Sequence, residues 1–393
     1  MLGSAVSCYD LAGSPARSLS AHSPSPTSRT SLEGAITIIT EEPAKTWHIR
    51  PIRAGDTEAF LSFLSAWVTN VSLRDRYRWM YQDNPHGKAL TWLAVTSRDN
   101  KIVGCTSVFP RKMWVNGHVE TASAGGDTYV DPTWRRKGIA VALHRASLEG
   151  MRENGVTLEY GFPLHENLGA FRKAGACLPG DFVSARCFLS VTPFLKKVRL
   201  DRFVPGKLLD VLDRVFLKVT NQGISSSDET EYEVREVGSF DKRFETLSEE
   251  LSSSFKICWL RDSSYLRWRF LDNPFRKYIL LSVTKKRDAR LHGFAALEVS
   301  EHIGFVTEFF VRPEDDVVKA LLTGLMRFGV SLSIHSLWFE LINPTGPFAR
   351  DLVRCGFKLH YSDQKTLEIL GDCGRDGMAD LANWYLTVSD LDV

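Results

Sequence analysis

The stretch YRWMYQDNPHG (residues 77–87) returns as LRWRFLDNPFR (residues 266–276). The two share Arg78/Arg267, Trp79/Trp268, an aromatic at Tyr81/Phe270, and Asp83-Asn84-Pro85/Asp272-Asn273-Pro274. Working outward, the flanks agree as well. WHIRPIRAGDTEAFLSFL (47–64) and YEVREVGSFDKRFETLSEEL (232–251) each read as an alternating strand and then a helix with an Asp near its start. After the D-N-P turn come two strands around a charged turn, with glycines in step at Gly104 and Gly293. DTYVDP (127–132) and EFFVRP (308–313) are strands that stop at Pro. A helix follows, then a strand (TLEYGF, 157–162; LWFEL, 337–341), then a short helix closed by Gly (NLGAFRKAGA, 167–176; FARDLVRCGF, 348–357).

Each copy therefore reads β-α-α-β-β-β-α-β-α-β over roughly 150 residues, the size of one domain. That order predicts an α/β (α+β) layered fold: two tandem domains, each a mixed, mostly antiparallel sheet flanked by helices. The R-W-x-Y/F-x-D-N-P element stands in both copies. It is read as structural, with the aromatics in the core and D-N-P as a turn. The predicted divisions are a Ser/Pro-rich disordered segment (1–45), a first domain (46–192), a helical connector with a polar end (193–230) and a second domain (231–393). The N-terminal segment bears Arg and Ser and few acids, a weak echo of a targeting peptide that its prolines oppose.

The bulk numbers exclude some partners. The chain has 393 residues, 49 basic against 47 acidic, for a net charge of +2. Such balance gives no overall electrostatic case for nucleic acid or a membrane surface. The seven cysteines are scattered, with no C-x-x-C pair. The expectation is a cytoplasmic chain with reduced, buried thiols and no metal.

The two copies part at one turn. In the first, Asp131-Pro132 leads into Arg135-Arg136-Lys137-Gly138 and then an apolar helix. A helix N-terminus carries partial positive charge and prefers anions, so three cations there need an anionic partner. Gly138 and Ala140 let a ligand approach the backbone, whose first-turn N–H groups suit a phosphate. A solvated basic turn is the plain alternative. The second copy reads Pro313-Glu314-Asp315-Asp316-Val317 at this place. Those acids satisfy the helix by themselves and repel a phosphate.

Arg135-x-x-Gly138-x-Ala140, after a strand ending Val130-x-Pro132, resembles the acyl-CoA-binding motif of the GNAT family of N-acetyltransferases, which reads Q/R-x-x-G-x-G/A. Asn167 to Ala176 resembles that family's next motif, an Asn, then Ala-Tyr/Phe, then Lys-x-Gly. The resemblance covers most of residues 46–190. In the second copy it extends to the layout and the last motif, and the loop is degenerate. It implies an acyl-CoA-dependent N-acyltransferase, with acetyl-CoA as co-substrate and an amine attacking the thioester directly. The CoA pyrophosphate is expected on the backbone from Arg136 through Lys137, Gly138 and Ile139 to Ala140, with Arg135 beside it. The pantetheine arm is expected along Tyr129 and Val130, near Asn167 and Phe171. Asn167 also suits a helix N-cap.

For the proton transfers several residues stand open. Asp127, on the strand beside the thioester, is placed first as base; its alternative is a simple pairing with an arginine. Glu159, on the neighbouring strand, and His165 and Glu166, in the next loop, are further candidates. The family often uses a Tyr on the second-motif helix as acid. Here the aligned residue is Phe171, and Tyr160 is the substitute. A small-molecule amine, such as an amino sugar or amino acid derivative, is the expected acceptor, and the chain is expected as monomer or homodimer. A non-catalytic acyl-CoA-binding scaffold and an aminoacyl transferase of the FemAB type are the rival readings.

Overall fold

A computed structural model describes residues 46–391, apart from 164, 200, 221–230, 289, 344–345, 372–373 and 376. The expected disorder of 1–45 and the polar end of the connector lie outside the described residues. The first copy runs β1 (Trp47–Pro51), α1 (Thr57–Leu64), α2 (Leu73–Arg76), β2 (Leu90–Thr96), β3 (Ile102–Val115), β4 (His118–Val130), α3 (Ile139–Glu153), β5 (Leu158–Gly161), α4 (Leu168–Ala174) and β6 (Cys177–Phe188). The connector forms α5 (Thr192–Lys197) and α6 (Gly206–Thr220). The second copy runs β7 (Tyr232–Glu236), α7 (Lys242–Ser252), β8 (Ile257–Trp259), α8 (Ser263–Leu266), β9 (Tyr278–Lys285), β10 (Leu291–Ser300), β11 (Ile303–Val311), α9 (Asp315–Ser331), β12 (Ser336–Leu341), α10 (Pro347–Arg354) and β13 (Lys358–Gly371). A two-residue strand, β14 (Trp384–Tyr385), follows. The repeated order matches the sequence reading, with β8 and β14 added. Among the described residues no helix is long and apolar enough to cross a membrane.

The two copies do not build separate sheets. Strand order along the main sheet is β1-β2-β3-β4-β5-β13-β6-β12-β11-β10-β9-β7. The copies have exchanged their last strands. β13 of the second pairs antiparallel with β5 of the first, and β6 of the first pairs antiparallel with β12 of the second. β6 and β13 lie side by side in the middle. The order is palindromic, so the copies are related by a pseudo-twofold between β6 and β13. The expected boundaries near 192 and 231 follow the chain, whereas the packing crosses them.

The repeated R-W element meets itself near the same axis. Trp79 and Trp268 stack with ring centres 4.7 Å apart. Each indole N–H donates to the other residue's backbone carbonyl, both at 3.0 Å. Both stretches are one-turn π-helices, Tyr77–Gln82 and Arg267–Leu271, closed by Asp83 N–H to Arg78 O and Asp272 N–H to Arg267 O. The extra residue in the turn rotates the Trp off the ordinary helix face. Asn84 and Asn273 close the following turns by accepting backbone N–H bonds from His86 and from Phe275 and Arg276. The element is structural, as expected, and its contact is between the copies.

Four of the described cysteines, Cys105, Cys187, Cys258 and Cys355, are free and buried. Cys177 is disulfide-bonded. That departs from the expectation of thiols throughout, and its partner lies outside the described residues.

A continuous sheet with exchanged strands unfolds as one unit. Urea unfolding of the whole chain, followed by far-UV circular dichroism and by tryptophan fluorescence, is expected to give one coincident transition. Residues 231–393 expressed alone lack β6 and are expected to show no cooperative transition. Two separated transitions of the whole chain would contradict the exchange.

Candidate active site

The site is built where β4 and β5 part. They pair in parallel at only two positions, Ser123↔Glu159 and Ala124↔Tyr160. β4 then continues to Val130 beside β3, while β5 is drawn to β13 through Glu368↔Gly161, Ile369↔Tyr160, Leu370↔Glu159 and Gly371↔Leu158. The backbone edge of β4 from Gly125 to Val130 is left open toward β5. A register shift between Cys105 and Ser107 marks a bulge in this stretch, with Asp127 in the left-handed region at φ 49°. Tyr129 is fixed by stacking on Trp67, ring centres 4.1 Å apart.

At the top of the opening, Asp131 caps the turn Pro132–Trp134 by accepting the Thr133 N–H. Gly138, at φ 79°, is the N-cap of α3 and gives it no side-chain cap. The first turn of α3 holds no acid, so its N–H groups face the opening without a built-in anion. Arg135 lies back over the Tyr129 ring and donates from Nε to Val130 O at 3.1 Å. Lys137 Nζ sits 4.3 Å from the centre of the Trp134 ring. Arg136 is exposed and holds a left-handed φ of 61°. The loop residues from Arg135 to Ala140, with Ile139 buried beneath, are thus gathered at one corner beside Tyr129 and Val130. Asn167 is the N-cap of α4 by position, but its side chain makes no cap bond. Phe171 is buried on α4 against the His144 ring, centres 4.0 Å apart.

The proton-transfer candidates fare differently. Asp127 is not free to act as a base. Arg76 holds it from two nitrogens (Nη2 to Oδ1, 3.0 Å), and the Tyr81 hydroxyl donates to Oδ2. Both partners of the pair are buried. The second copy carries Glu308 at the matching place, buried against Arg261. The two acids correspond, but their arginines do not: Tyr265 stands where Arg76 does, and Arg261 reaches Glu308 from four residues earlier. Tyr160 is not placed as an acid: its hydroxyl proton is committed to the backbone carbonyl of Asp390. His165 and Glu166 are exposed in a short turn before α4. Glu159 is buried at the root of the opening, and burial pushes its carboxyl up to about 8. Beside it stands a residue the sequence reading missed. Glu368 of β13 is fully buried, and burial and the Glu159 charge raise its carboxyl well above the usual range. Its signal was a lone acid inside an apolar strand, Leu367-Glu368-Ile369-Leu370. His144, also missed, is held neutral by burial, with its pKa lowered to about 4.

The second copy's equivalent opening is filled. Gly104↔Val130 matches Gly293↔Val311, and Ser123↔Glu159 matches Gly304↔Leu337. Thr128 and Gly161 therefore correspond to Phe309 and Phe339, and Asn167, through the second motif, to Phe348. These three rings pack on one another, with centres 4.9 to 5.8 Å apart. The α9 N-terminus carries Asp315 and Asp316 in its first turn, as its sequence foretold. A separate open groove of about 500 Å³ lies over Trp79 and Trp268, between two exposed Arg–Asp pairs. None of its lining residues belongs to the loop.

Residues 48–175 match the family model described as Acetyltransferase (GNAT) domain. The first copy is a GNAT domain. No curated protein matches the chain at the sequence level. Among solved structures, a GCN5-related N-acetyltransferase from Anabaena variabilis is 11% identical, covers 82% of this chain and 72% of its own, and superposes with a TM-score of 0.59. A tandem GNAT protein from the clavulanic acid biosynthesis pathway is 14% identical, with coverages of 82% and 98% and a TM-score of 0.50. Saccharomyces cerevisiae N-myristoyltransferase with bound myristoyl-CoA is 10% identical, with coverages of 84% and 80% and a TM-score of 0.51. At such identities the likeness is one of fold: a tandem GNAT architecture. The match over residues 48–175 and the shared fold support an acyltransferase in general terms.

Two expectations follow from the buried charges. Asp127→Asn removes the carboxylate charge that Arg76 and Tyr81 hold, and breaking such a buried pair costs about 3–5 kcal/mol; a fall in the urea midpoint of matching size is expected. The acids give a pH signature. With folded-state values raised above the ordinary 4.5, the folded chain binds more protons than the unfolded one between about 4.5 and about 8. Stability contributed by the protonated forms is full below 4.5 and is lost as pH rises toward 8. Glu368→Gln should flatten that loss, so its melting temperature should exceed that of the wild type at pH 8 by more than at pH 5. Parallel melting curves across that range would contradict the assignment.

Proposed function

We propose that the chain is an acyl-CoA-dependent N-acyltransferase that moves an acetyl group from acetyl-CoA to the amine of a small molecule. One observation carries this reading. The first copy keeps an open strand edge beside an uncapped, cation-ringed helix N-terminus, and the second copy closes both with phenylalanines and acids. A duplicated fold that loses these features in one copy identifies them as the ligand's share of the other.

In this reading the pyrophosphate lies on the N–H groups of Arg136 to Ala140, at the positive end of α3. Arg135 and Lys137, held over Tyr129 and Trp134, need only swing to meet it. The pantetheine arm pairs with the open edge of β4 at Tyr129 and Val130, near Asn167 and Phe171. The thioester carbonyl then points at the bulge, where backbone N–H groups stabilise the charge that develops on attack. The acceptor amine attacks the thioester directly. Asp127 serves by holding the bulge through Arg76 and Tyr81. The same features favour acyl-CoA over aminoacyl-tRNA as donor. Turnover separates the enzyme from a non-catalytic acyl-CoA-binding scaffold.

Gly138→Val tests the reading. A Cβ at φ 79° is strained, and the branched side chain blocks the approach to the first-turn N–H groups. Calorimetric titration with acetyl-CoA is expected to show binding to the wild type and at least about a 100-fold loss in the variant, equivalent to about 2.7 kcal/mol. Equal affinity would refute the loop's role.

A further inference from the structure

The root of the opening holds two acids that no cation pairs with among the described residues. Ala124↔Tyr160 is the last paired couple of β4 and β5, and Gly125 and Gly161 are the first residues beyond it. A Cβ on Gly125 would overlap Glu159 Oε1, and a Cβ on Gly161 would stand 2.9 Å from Glu368 Oε1. The two carboxyls therefore occupy the space these glycines leave, one on each arm. Neither Glu368 oxygen has a hydrogen-bond partner, although both are buried. Glu159 receives one long contact, from Ser147 Oγ at 3.4 Å. Among the described residues neither acid has an ion-pair partner, and Ser147, which reaches Glu159, stands one turn from His144 on α3. β4 presents Gly125, whose missing side chain leaves room for Glu159.

The second copy is an internal control. Gly161↔Glu368 corresponds to Phe339↔Ala185, and Glu159↔Leu370 to Leu337↔Cys187. The fold is thus satisfied by Leu337 and Ala185 where the first copy has Glu159 and Glu368, and both apolar residues are fully buried. Two buried, unpaired carboxylates are costly, and a carboxyl–carboxylate pair that shares one proton satisfies both groups at once. The acids are not needed for packing. They stand at the root of the opening, in the half whose second-motif helix carries Phe171 in place of a tyrosine.

We propose that Glu159 and Glu368 share one proton and deliver it to the departing CoA thiolate, so that the second copy supplies an acid to the first copy's site. The proposal rests on the acyl-transfer reading above. The amine nitrogen bonds to the carbonyl carbon, the C–S bond breaks, and the sulfur takes the shared proton as its S–H bond forms. The pair is left with two adjacent negative charges in a dry site. It recovers neutrality of one member by taking the proton that the acylated nitrogen gives up. Acyl donor and amine become amide and free thiol, and the pair ends as it began.

The test uses the full chain, wild type, Glu368→Gln and Glu159→Gln, with hydroxylamine as acceptor. Infrared difference spectra at neutral pH should show a protonated-carboxyl C=O band in the wild type that both substitutions remove. Both variants should bind acetyl-CoA as the wild type does but transfer about 100-fold more slowly, in line with lost general acid catalysis. The wild-type kcat should fall as pH rises through the range in which the pair loses its proton, and the variants should lack that limb. An infrared band absent from the wild type, or unmoved by the substitutions, overturns the proposal whatever the activity. So do wild-type rates and pH profiles in both variants, and so does acetyl-CoA binding by the wild type without transfer. Failure of the wild type to bind acetyl-CoA sinks instead the acyl-transfer reading on which the pair depends. If one variant does not fold, the other carries the same measurements.

Discussion

The pairing of β13 with β5 sets the rest of the structure. β5 has two possible neighbours and spends most of its short length on β13, leaving β4 after two residues. A strand has two edges, and on one of them β5 follows β13 for four residues while its other edge leaves β4 after two. The open edge of β4 lies where β5 keeps to a strand encoded some two hundred residues downstream. Because β6 does the same for β12, neither half closes its sheet without the other. The stacked Trp79 and Trp268, each donating to the other's backbone, fix the angle at which the halves meet.

Buried charge reinforces this arrangement without adding much net stability. Arg76 with Asp127 and Arg261 with Glu308 and Asp390 are all shielded from water. Such pairs return little beyond their desolvation cost, but losing one partner is severe. Their use here is positional. Asp127 pins the bulge at a φ that an ordinary residue resists. Asp390 ties the end of the chain to the second copy through Arg261, while its carbonyl receives the Tyr160 hydroxyl of the first.

Local chemistry was legible in the sequence, and long-range pairing was not. The repeat, the element order, the glycine-led start of α3 and the acids at the start of α9 are signals carried by neighbouring residues. All of them appear where periodicity and capping put them. The three-residue β8 and two-residue β14 are too short to carry a period. Asp127 looked like a base because its strand position is visible while Arg76, fifty-one residues earlier, is not visibly its partner. Tyr160 looked available because Asp390 lies 230 residues away. Glu368 was passed over because strand exchange is needed to bring β13 to the first copy's opening. No pattern in residues 358–371 names β5 as its neighbour.

The differences between the copies fall where they separate scaffold from site. Trp79/Trp268, Asn84/Asn273, the buried acid at 127/308 and the helix-closing Gly175/Gly356 are shared, and each has a packing or backbone role in both halves. At the root of the opening the copies differ. Thr128, Glu159, Gly161 and Asn167 face Phe309, Leu337, Phe339 and Phe348, and Glu368 faces Ala185. Each second-copy residue at these positions is the apolar filling that a closed core favours. A glycine with no side chain to pack and a carboxyl with no partner are the opposite choice, and they are destabilising wherever packing alone is at stake. The second half fills the corresponding positions with buried apolar residues, so packing does not call for the polar set. What remains is selection for space and charge at the root of one opening, on the half that also keeps the phosphate-suited helix end.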